Sequence, residues 1–412
     1  MSPTIANHRR GTGLARCLGS SLILLALLLP LGLQARDNDE LASEAVDAML
    51  RLDYARANAS LNALQTQAPH YPLLYFLRAG ILWVQAEALQ GDDKAERVRK
   101  WKLATVAYEA AMERAREQLE RTPNDPQWRL ALGLSQFFIA RTYVEQGKVL
   151  KIYSNARAGR DTLRKLVEDE PDLYDAYFPL GVYEYIAGSI PRGVNWLAAL
   201  FDISGDRELG LQYLQLATAR ASLLAPEAAR MLVAAAALQP EYVENACQYL
   251  PLARQAHDRY PENAHFSGAY QMLHTNCGYP ARALAENKRA RKVYLEEFPD
   301  MEKILDILLL NALRSQGDIE AIQALKPRFK KKNTAYWHLA MAQAYDVRDQ
   351  REAALRHYHI IRDGGDSGKN DVLRNSDNKD WLRDQVDIYL RIPYKQPVPA
   401  AIDPNHPIQL PE

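Results

Sequence analysis

Residues 159–171 read GRDTLRKLVEDEP, and the spacing of four residues in this stretch decides the fold. Gly159, Leu163 and Leu166 are separated by steps of four and three, which place them on one face of a helix. The small glycine lets a preceding helix approach closely. Pro171 ends the helix and sets the turn to the next one. The stretch therefore predicts the second helix of a tightly packed helical hairpin.

The same spacing of a small residue, two core positions and a helix stop recurs along the chain. Four further segments carry it: Ala57, Leu61, Leu64 and Pro69; Ala111, Ala115, Gln118 and Pro123; Tyr249, Ala253, Ala256 and Pro261; and, without the proline, Gly210, Leu214, Ala217 and Ser222. A single hairpin cannot bury its apolar face alone, so repeated hairpins are expected to stack. Leu132-Gly133 and Leu180-Gly181 each follow a proline by nine and ten residues, and they predict close crossings of paired helices.

Three short motifs indicate a family. They are Tyr177-x-x-Leu180-Gly181 and two segments of the form Asp-x-x-x-Ala, Asp53–Ala57 and Asp349–Ala353. Residues 40–362 resemble the tetratricopeptide repeat. The resemblance implies an all-α, right-handed solenoid of about seven to eight helix pairs. A HEAT-type solenoid, whose repeats run about 40–47 residues, is the alternative.

The repeats are unequal in length. The first four anchors, Ala57, Ala111, Gly159 and Gly210, are 54, 48 and 51 residues apart, and later anchors are 32 to 39 apart. The usual tetratricopeptide period is about 34 residues. We therefore expect enlarged repeats over residues 36–222, near-standard repeats over 223–362, and insertions at the turn between paired helices.

Aromatic residues in and beside these insertions are the candidate binding residues. They are Trp101, Tyr153, Tyr183, Tyr185, Trp196 and Phe201. Tyrosine and tryptophan are favoured contact residues in interfaces, but they also dominate helix packing. Packing between helices is therefore the alternative role for all six.

A narrower likeness covers residues 181–214. Gly181-Val182-Tyr183, Ser189-Ile190-Pro191 and the run 204–211 are similar to a eukaryotic tetratricopeptide family linked to lipid droplets and inclusion-body clearance. The likeness implies shared architecture and not a shared role.

The first 35 residues predict a secretory signal. Three arginines precede the apolar run Leu22–Leu33, and the small residue Ala35 follows the run after Gln34. The run is shorter than the roughly 20 residues of a membrane span, so we expect cleavage after Ala35 and a periplasmic or otherwise exported protein. A retained anchor is the alternative. Cleavage leaves 48 basic and 51 acidic residues, a net charge of −3, which argues against a nucleic-acid partner.

The mature chain keeps two cysteines. Cys247 is expected to open the second helix of one unit, and Cys277 to close the first helix of the next. Antiparallel packing would bring these ends together, and an oxidising compartment permits a disulfide. Two buried free thiols are the alternative.

The sequence offers no catalytic motif with a supporting context. It has no G-x-S-x-G, H-E-x-x-H, phosphate-binding glycine loop or C-x-x-C. His357 and His359 are two residues apart and diverge on a helix. We therefore expect no enzyme, no cofactor and no metal site.

Residues 363–412 differ in character from the repeats. A glycine-rich linker comes first, Asp380–Arg391 predicts a short amphipathic helix, and the proline-rich tail from Pro393 predicts an extended, poorly ordered segment. The whole chain indicates a scaffold or adaptor that binds a protein or peptide in the cell envelope. A carrier of an apolar ligand such as a lipid, held under residues 181–205, is the alternative.

Overall fold

The computed structural model describes residues 38–88, 94–144, 146–189, 204–238, 245–296, 298–329, 334–363 and 379–399. These residues form seventeen α-helices and no strand. The predicted signal segment 1–35, the linker after Asp363, and the candidate residues Trp196 and Phe201 lie outside the described residues. The fold is therefore all-α over the described parts of the chain.

The helices follow one another with short connections. They are α1 (38–50), α2 (Tyr54–Gln67), α3 (Leu74–Ala88), α4 (Lys94–Arg121), α5 (Pro126–Val144), α6 (Val149–Asp169), α7 (Tyr177–Gly188), α8 (Arg207–Arg220), α9 (Ala225–Leu238), α10 (Leu250–Arg259), α11 (Ala264–Asn276), α12 (Pro280–Tyr294), α13 (Glu302–Gln316), α14 (Ile319–Leu325), α15 (Thr334–Val347), α16 (Arg351–Asp363) and α17 (Lys379–Arg391).

Helices pack on their chain neighbours and also on the helix two places along. Helix α9 contacts α11, α11 contacts α13, and α13 contacts α15. Alternate helices thus form a continuous layer, and the helices between them pack against it. This is the arrangement of an α-solenoid, in which each unit buries its apolar face against the next.

Two glycine contacts explain how the long hairpins pack so closely. A Cβ added to Gly159 would lie 2.7 Å from the backbone nitrogen of Phe137 and 3.0 Å from the carbonyl oxygen of Gly133. A Cβ on Gly210 would lie 2.4 Å from the nitrogen of Tyr185 and 2.8 Å from the oxygen of Gly181. Both glycines therefore face the backbone of the partner helix, where only hydrogen fits.

The extra residues of the second and third units lengthen the second helix of each hairpin. Helix α4 has 28 residues and α6 has 21, whereas the corresponding α8, α12 and α16 have 14, 15 and 13. At 1.5 Å per residue, α4 is about 20 Å longer than α8. Residues 190–203 of the fourth unit lie outside the described residues.

The start of the chain packs against its middle. Asp47 of α1 accepts hydrogen bonds from Arg259 Nε at 3.0 Å and from the hydroxyl of Tyr260 at 3.2 Å. Asn263 Nδ2 donates to the carbonyl oxygen of Leu50 at 3.0 Å. More than 200 residues separate these partners, so the solenoid winds tightly enough for α1 to meet the segment between α10 and α11.

Helix α17 covers the far end of the stack. Its Leu382 and Val386 are fully buried and belong to one apolar cluster with Leu339 of α15 and Tyr358 of α16. Among the described helices, none combines the length and the apolar character needed to cross a membrane.

Candidate binding surface

The segment after α17 lies against the ends of three alternate helices. Residues 393–399 form neither helix nor strand. The backbone N–H of Tyr394 donates to Oδ2 of Asp346, in α15, at 2.9 Å. The guanidinium of Arg314, in α13, lies 5.4 Å from the ring centroid of Tyr394. Val398 and Pro399 lie against Gly278. Gly278 is the second residue after α11 and follows Cys277, which caps that helix.

Residues 393–399 follow this path without a helix, turn or bend, as an extended chain does. The six residues from Tyr394 to Pro399 are joined by five Cα–Cα steps, which can span at most about 18 Å, and they run from α15 past α13 to the end of α11. We call residues 392–399 the tail segment, and the ends of α11, α13 and α15 that it contacts the tail-binding surface. The sequence predicts a poorly ordered tail from Pro393, whereas the tail segment lies in defined contacts.

Asp346 is the centre of this surface. Its carboxylate is fully buried and accepts from Arg351 Nη1 at 2.9 and 3.0 Å and from the hydroxyl of Tyr358 at 2.9 Å, in addition to Tyr394. Burial and the nearby Asp346 charge raise the pKa of Tyr358 far above its usual range. The phenol therefore stays protonated and remains a donor.

Arg351 extends the network to the end of α17. Its Nη2 donates to the carbonyl oxygens of Tyr389 at 2.7 Å and Leu390 at 3.0 Å. These carbonyls belong to the last turn of α17, where helix partners are lacking and a cation is favoured. The Asp346–Arg351 pair therefore fixes the direction in which the chain leaves α17.

The ring of Tyr394 lies between a cation and another ring. Tyr389 contacts it edge-on with centroids 5.5 Å apart, and Arg314 lies on it as described above. Arg314 Nη1 also donates to Oε1 of the buried Gln343. An arginine over an aromatic face contributes about 0.5–2 kcal/mol, depending on its hydration.

Gly278 allows the close approach at the far end of the path. Its φ is +84°, a conformation in which an L side chain is strained. A Cβ at this position would lie 2.5 Å from the nitrogen of Pro399. Cys277, the preceding residue, is joined to Cys247 by a disulfide with a Cα–Cα distance of 5.7 Å, which ties the end of α11 to the start of α10.

The tail segment itself is largely exposed. Tyr394 and Pro397 are half-buried, whereas Ile392 is 63% and Val398 is 83% exposed. A core segment of the same length would bury most of its side chains. The tail segment is therefore held as a surface ligand is held, by a few directional contacts.

The aromatic residues proposed from the sequence lie elsewhere. Trp101 is buried, edge-on to Trp83, with Arg141 over its ring at 4.6 Å. Tyr183 is buried and accepts a hydrogen bond from Arg160 Nη1 at 2.9 Å.

Tyr185 is also buried, and Tyr153 is half-buried with its hydroxyl 2.7 Å from Arg157 Nη1. Trp101, Tyr183 and Tyr185 thus pack between helices and present no exposed face in this structure. The residues of the tail-binding surface were missed because they carry no motif. The one available signal was the adjacency of a helix, Tyr394 and several prolines.

A second polar cluster links α10, α11 and α12. Ser267 Oγ donates to Glu286 Oε1 at 2.6 Å, and His257 Nε2 lies 3.1 Å from the same oxygen. Burial alone would raise the pKa of Glu286, but hydrogen bonds from His257, Arg289 and Ser267 lower it to about 2. Since the hydroxyl donates to a carboxylate and not to an imidazole, this cluster joins helices without activating Ser267 as a nucleophile.

A small pocket lies where α1 meets the middle of the chain. It has a volume of about 40 Å³ and is lined by residues including Leu50, Trp83, Arg230, His265 and Tyr294. That volume holds about three water molecules. A second, more open pocket of about 450 Å³ lies between α1, α8, α9 and α10. Part of the 181–205 region, where the sequence suggests a lipid pocket, lies outside the described residues.

The sequence matches no protein-family model and no curated protein. What the chain does is therefore inferred from its own residues and their geometry.

Proposed function

We propose that this chain is an exported, tetratricopeptide-type scaffold or adaptor that binds an extended polypeptide at the ends of α11, α13 and α15. The observation that carries the proposal is the docking of residues 392–399 on that surface. A surface that holds one extended segment through a main-chain hydrogen bond and an aromatic contact has the chemistry to hold another.

The two-helix unit supports the tetratricopeptide interpretation. Each odd-numbered helix from α1 to α15 is followed by one partner, and the second half of the chain keeps anchor spacings near 34 residues. A HEAT-type repeat of about 40–47 residues fits these spacings less well.

The disulfide supports export. Disulfides form and persist in oxidising compartments such as the bacterial periplasm, and Cys247 and Cys277 are bonded here. The signal-like segment 1–35 is consistent with that route. The partner is therefore expected among exported polypeptides of the cell envelope.

Affinity capture with the mature chain, residues 36–412, tests the proposal. The bait is the unmodified chain, with Arg314→Met as the surface variant and Arg56→Met as the matched control. Arg56 pairs with Glu44 at the exposed opposite end of the chain. We expect a polypeptide that is retained by the chain and by Arg56→Met and is reduced by Arg314→Met.

Two results would contradict the proposal. Recovery of a stoichiometric lipid without any protein would favour the carrier alternative. Turnover of a substrate that is abolished by one side-chain change would identify an enzyme.

A further inference from the structure

We propose that the tail segment is an internal ligand that occupies the tail-binding surface, and that the external partner is an extended peptide with an aromatic residue followed by prolines. The partner binds by displacing the tail segment. This inference rests on the proposed polypeptide-binding function and specifies its ligand and its regulation.

The contacts define what the surface recognises. The bond to Asp346 comes from a backbone N–H, so any residue except proline can supply it at that position. The site between Arg314 and Tyr389 selects an aromatic ring. Gly278 leaves room for backbone and a proline ring five residues later. An extended proline-containing segment fits because proline lowers the entropy lost on binding.

The surface also has a donor that the tail segment does not use. Arg314, whose guanidinium lies over the Tyr394 ring, has a buried Nε with no hydrogen-bond partner among the described residues. An unpaired buried donor is unfavourable, and satisfying one changes an equilibrium by about tenfold. An external peptide that presents a carbonyl or carboxylate oxygen there would bind more tightly than the tail segment and could displace it.

Tethering explains why the tail segment occupies the surface in the free protein. A linked segment acts at an effective concentration in the millimolar range. An external peptide can bind only to chains in which the surface is free. Its apparent affinity therefore falls as the fraction of chains with a bound tail segment rises. Weakening the tail segment should improve the binding of an external peptide.

A fluorescein-labelled peptide of sequence IPYKQPVP, a copy of residues 392–399, provides the probe. It is titrated by fluorescence polarisation into the full-length protein, into Tyr394→Ala and into Lys395→Ala. Lys395 is exposed and serves as the neighbouring control. We expect Tyr394→Ala to bind the peptide at least about tenfold more tightly than the unmodified protein does, and Lys395→Ala to bind like the unmodified protein.

A second variant locates the peptide. Adding Arg314→Met to Tyr394→Ala should weaken peptide binding by about tenfold, with circular dichroism and the melting midpoint confirming that the double variant is folded. A peptide in which the tyrosine is replaced by alanine should bind all variants weakly.

The inference is overturned if Tyr394→Ala and the unmodified protein bind the peptide equally, or if Arg314→Met leaves binding unchanged. If the mature chain nevertheless captured a polypeptide in the same conditions, the scaffold proposal would stand, but its binding site would lie outside the tail-binding surface. Failure of both capture and peptide binding would overturn the two together.

Discussion

The backbone N–H of Tyr394 donates to Oδ2 of Asp346 across 48 residues of sequence, at 2.9 Å. The same carboxylate accepts from Arg351 and from Tyr358, both in α16. One buried acid therefore connects the last repeat, the covering helix α17 and the tail segment. Loss of its charge should affect both the stability of this end and the position of the tail segment.

Asp346→Asn tests this connection. The amide keeps the volume but removes the charge opposite Arg351, so we expect the free energy of unfolding to fall by about 2–3 kcal/mol. Hydrogen exchange at the Tyr394 amide should become faster. Asp349→Asn is the matched control, because Asp349 is exposed in the turn that follows α15 and has a φ of +57°, which asparagine tolerates. Equal melting of the two variants would contradict the connection.

Gly210→Ala tests the close helix crossing. The added methyl would meet the backbone of Tyr185 and Gly181, which no side-chain rotation can relieve, so we expect a loss of about 1–3 kcal/mol or more. Gly268→Ala in α11 is the control, since the nearest atom is Leu308 Cδ1 at 3.9 Å. There alanine should stabilise the helix by about 0.5–1 kcal/mol. Denaturant unfolding measures both, and a neutral Gly210→Ala would argue against the crossing.

Reduction should destabilise the junction of α10 and α11. The Cys247–Cys277 bond closes a loop with a sequence separation of 30 residues, for which chain entropy predicts about 3–4 kcal/mol of stabilisation. We expect the double variant Cys247→Ser, Cys277→Ser to melt lower than the oxidised protein and to be insensitive to dithiothreitol. An unmodified protein whose melting midpoint did not change on reduction would show that the bond contributes little.

Stability should fall as the pH drops from about 6.5 to 4. Burial is the largest cause that lowers the pKa of His265, His274, His338 and His357, each to about 4. Between these values the unfolded chain binds protons that the folded chain excludes, so protonation favours unfolding. The stabilisation from these four histidines is complete above about pH 6.5, where they are neutral in both the folded and the unfolded chain.

His257 acts in the opposite direction. Burial is the largest single influence and lowers its pKa, but the hydrogen bond and charge of Glu286 together with the hydrogen bond to Asp258 outweigh burial and raise the pKa. Its stabilisation is therefore lost as the pH rises through the raised value. Because four histidines have a lowered pKa and only His257 has a raised one, the free energy of unfolding should still increase with pH over this range. Calorimetric melting at several pH values measures it, and His274→Gln should reduce the slope. A constant melting midpoint between pH 4 and 6.5 would contradict the assignment.

The repeated helical units could be predicted from the sequence because their cause is local. Steps of four and three place Gly159, Leu163 and Leu166 on one face whatever the rest of the chain does. A glycine on that face indicates a close neighbour, and the structure confirms the contact of Gly159 with the backbone of Phe137. An all-helical, stacked fold follows from these short-range rules.

The tertiary structure alone decided which residues are exposed and which distant segments meet. Trp101 is of a residue type that is common in binding interfaces, but packing with Trp83 and Arg141 buries it. Asp346 and Tyr394 carry no motif, and their partnership depends on how several helices are stacked. Periodicity reports the face on which a residue lies, whereas contacts between distant segments depend on the accumulated rotation of every unit between them, which no local pattern encodes.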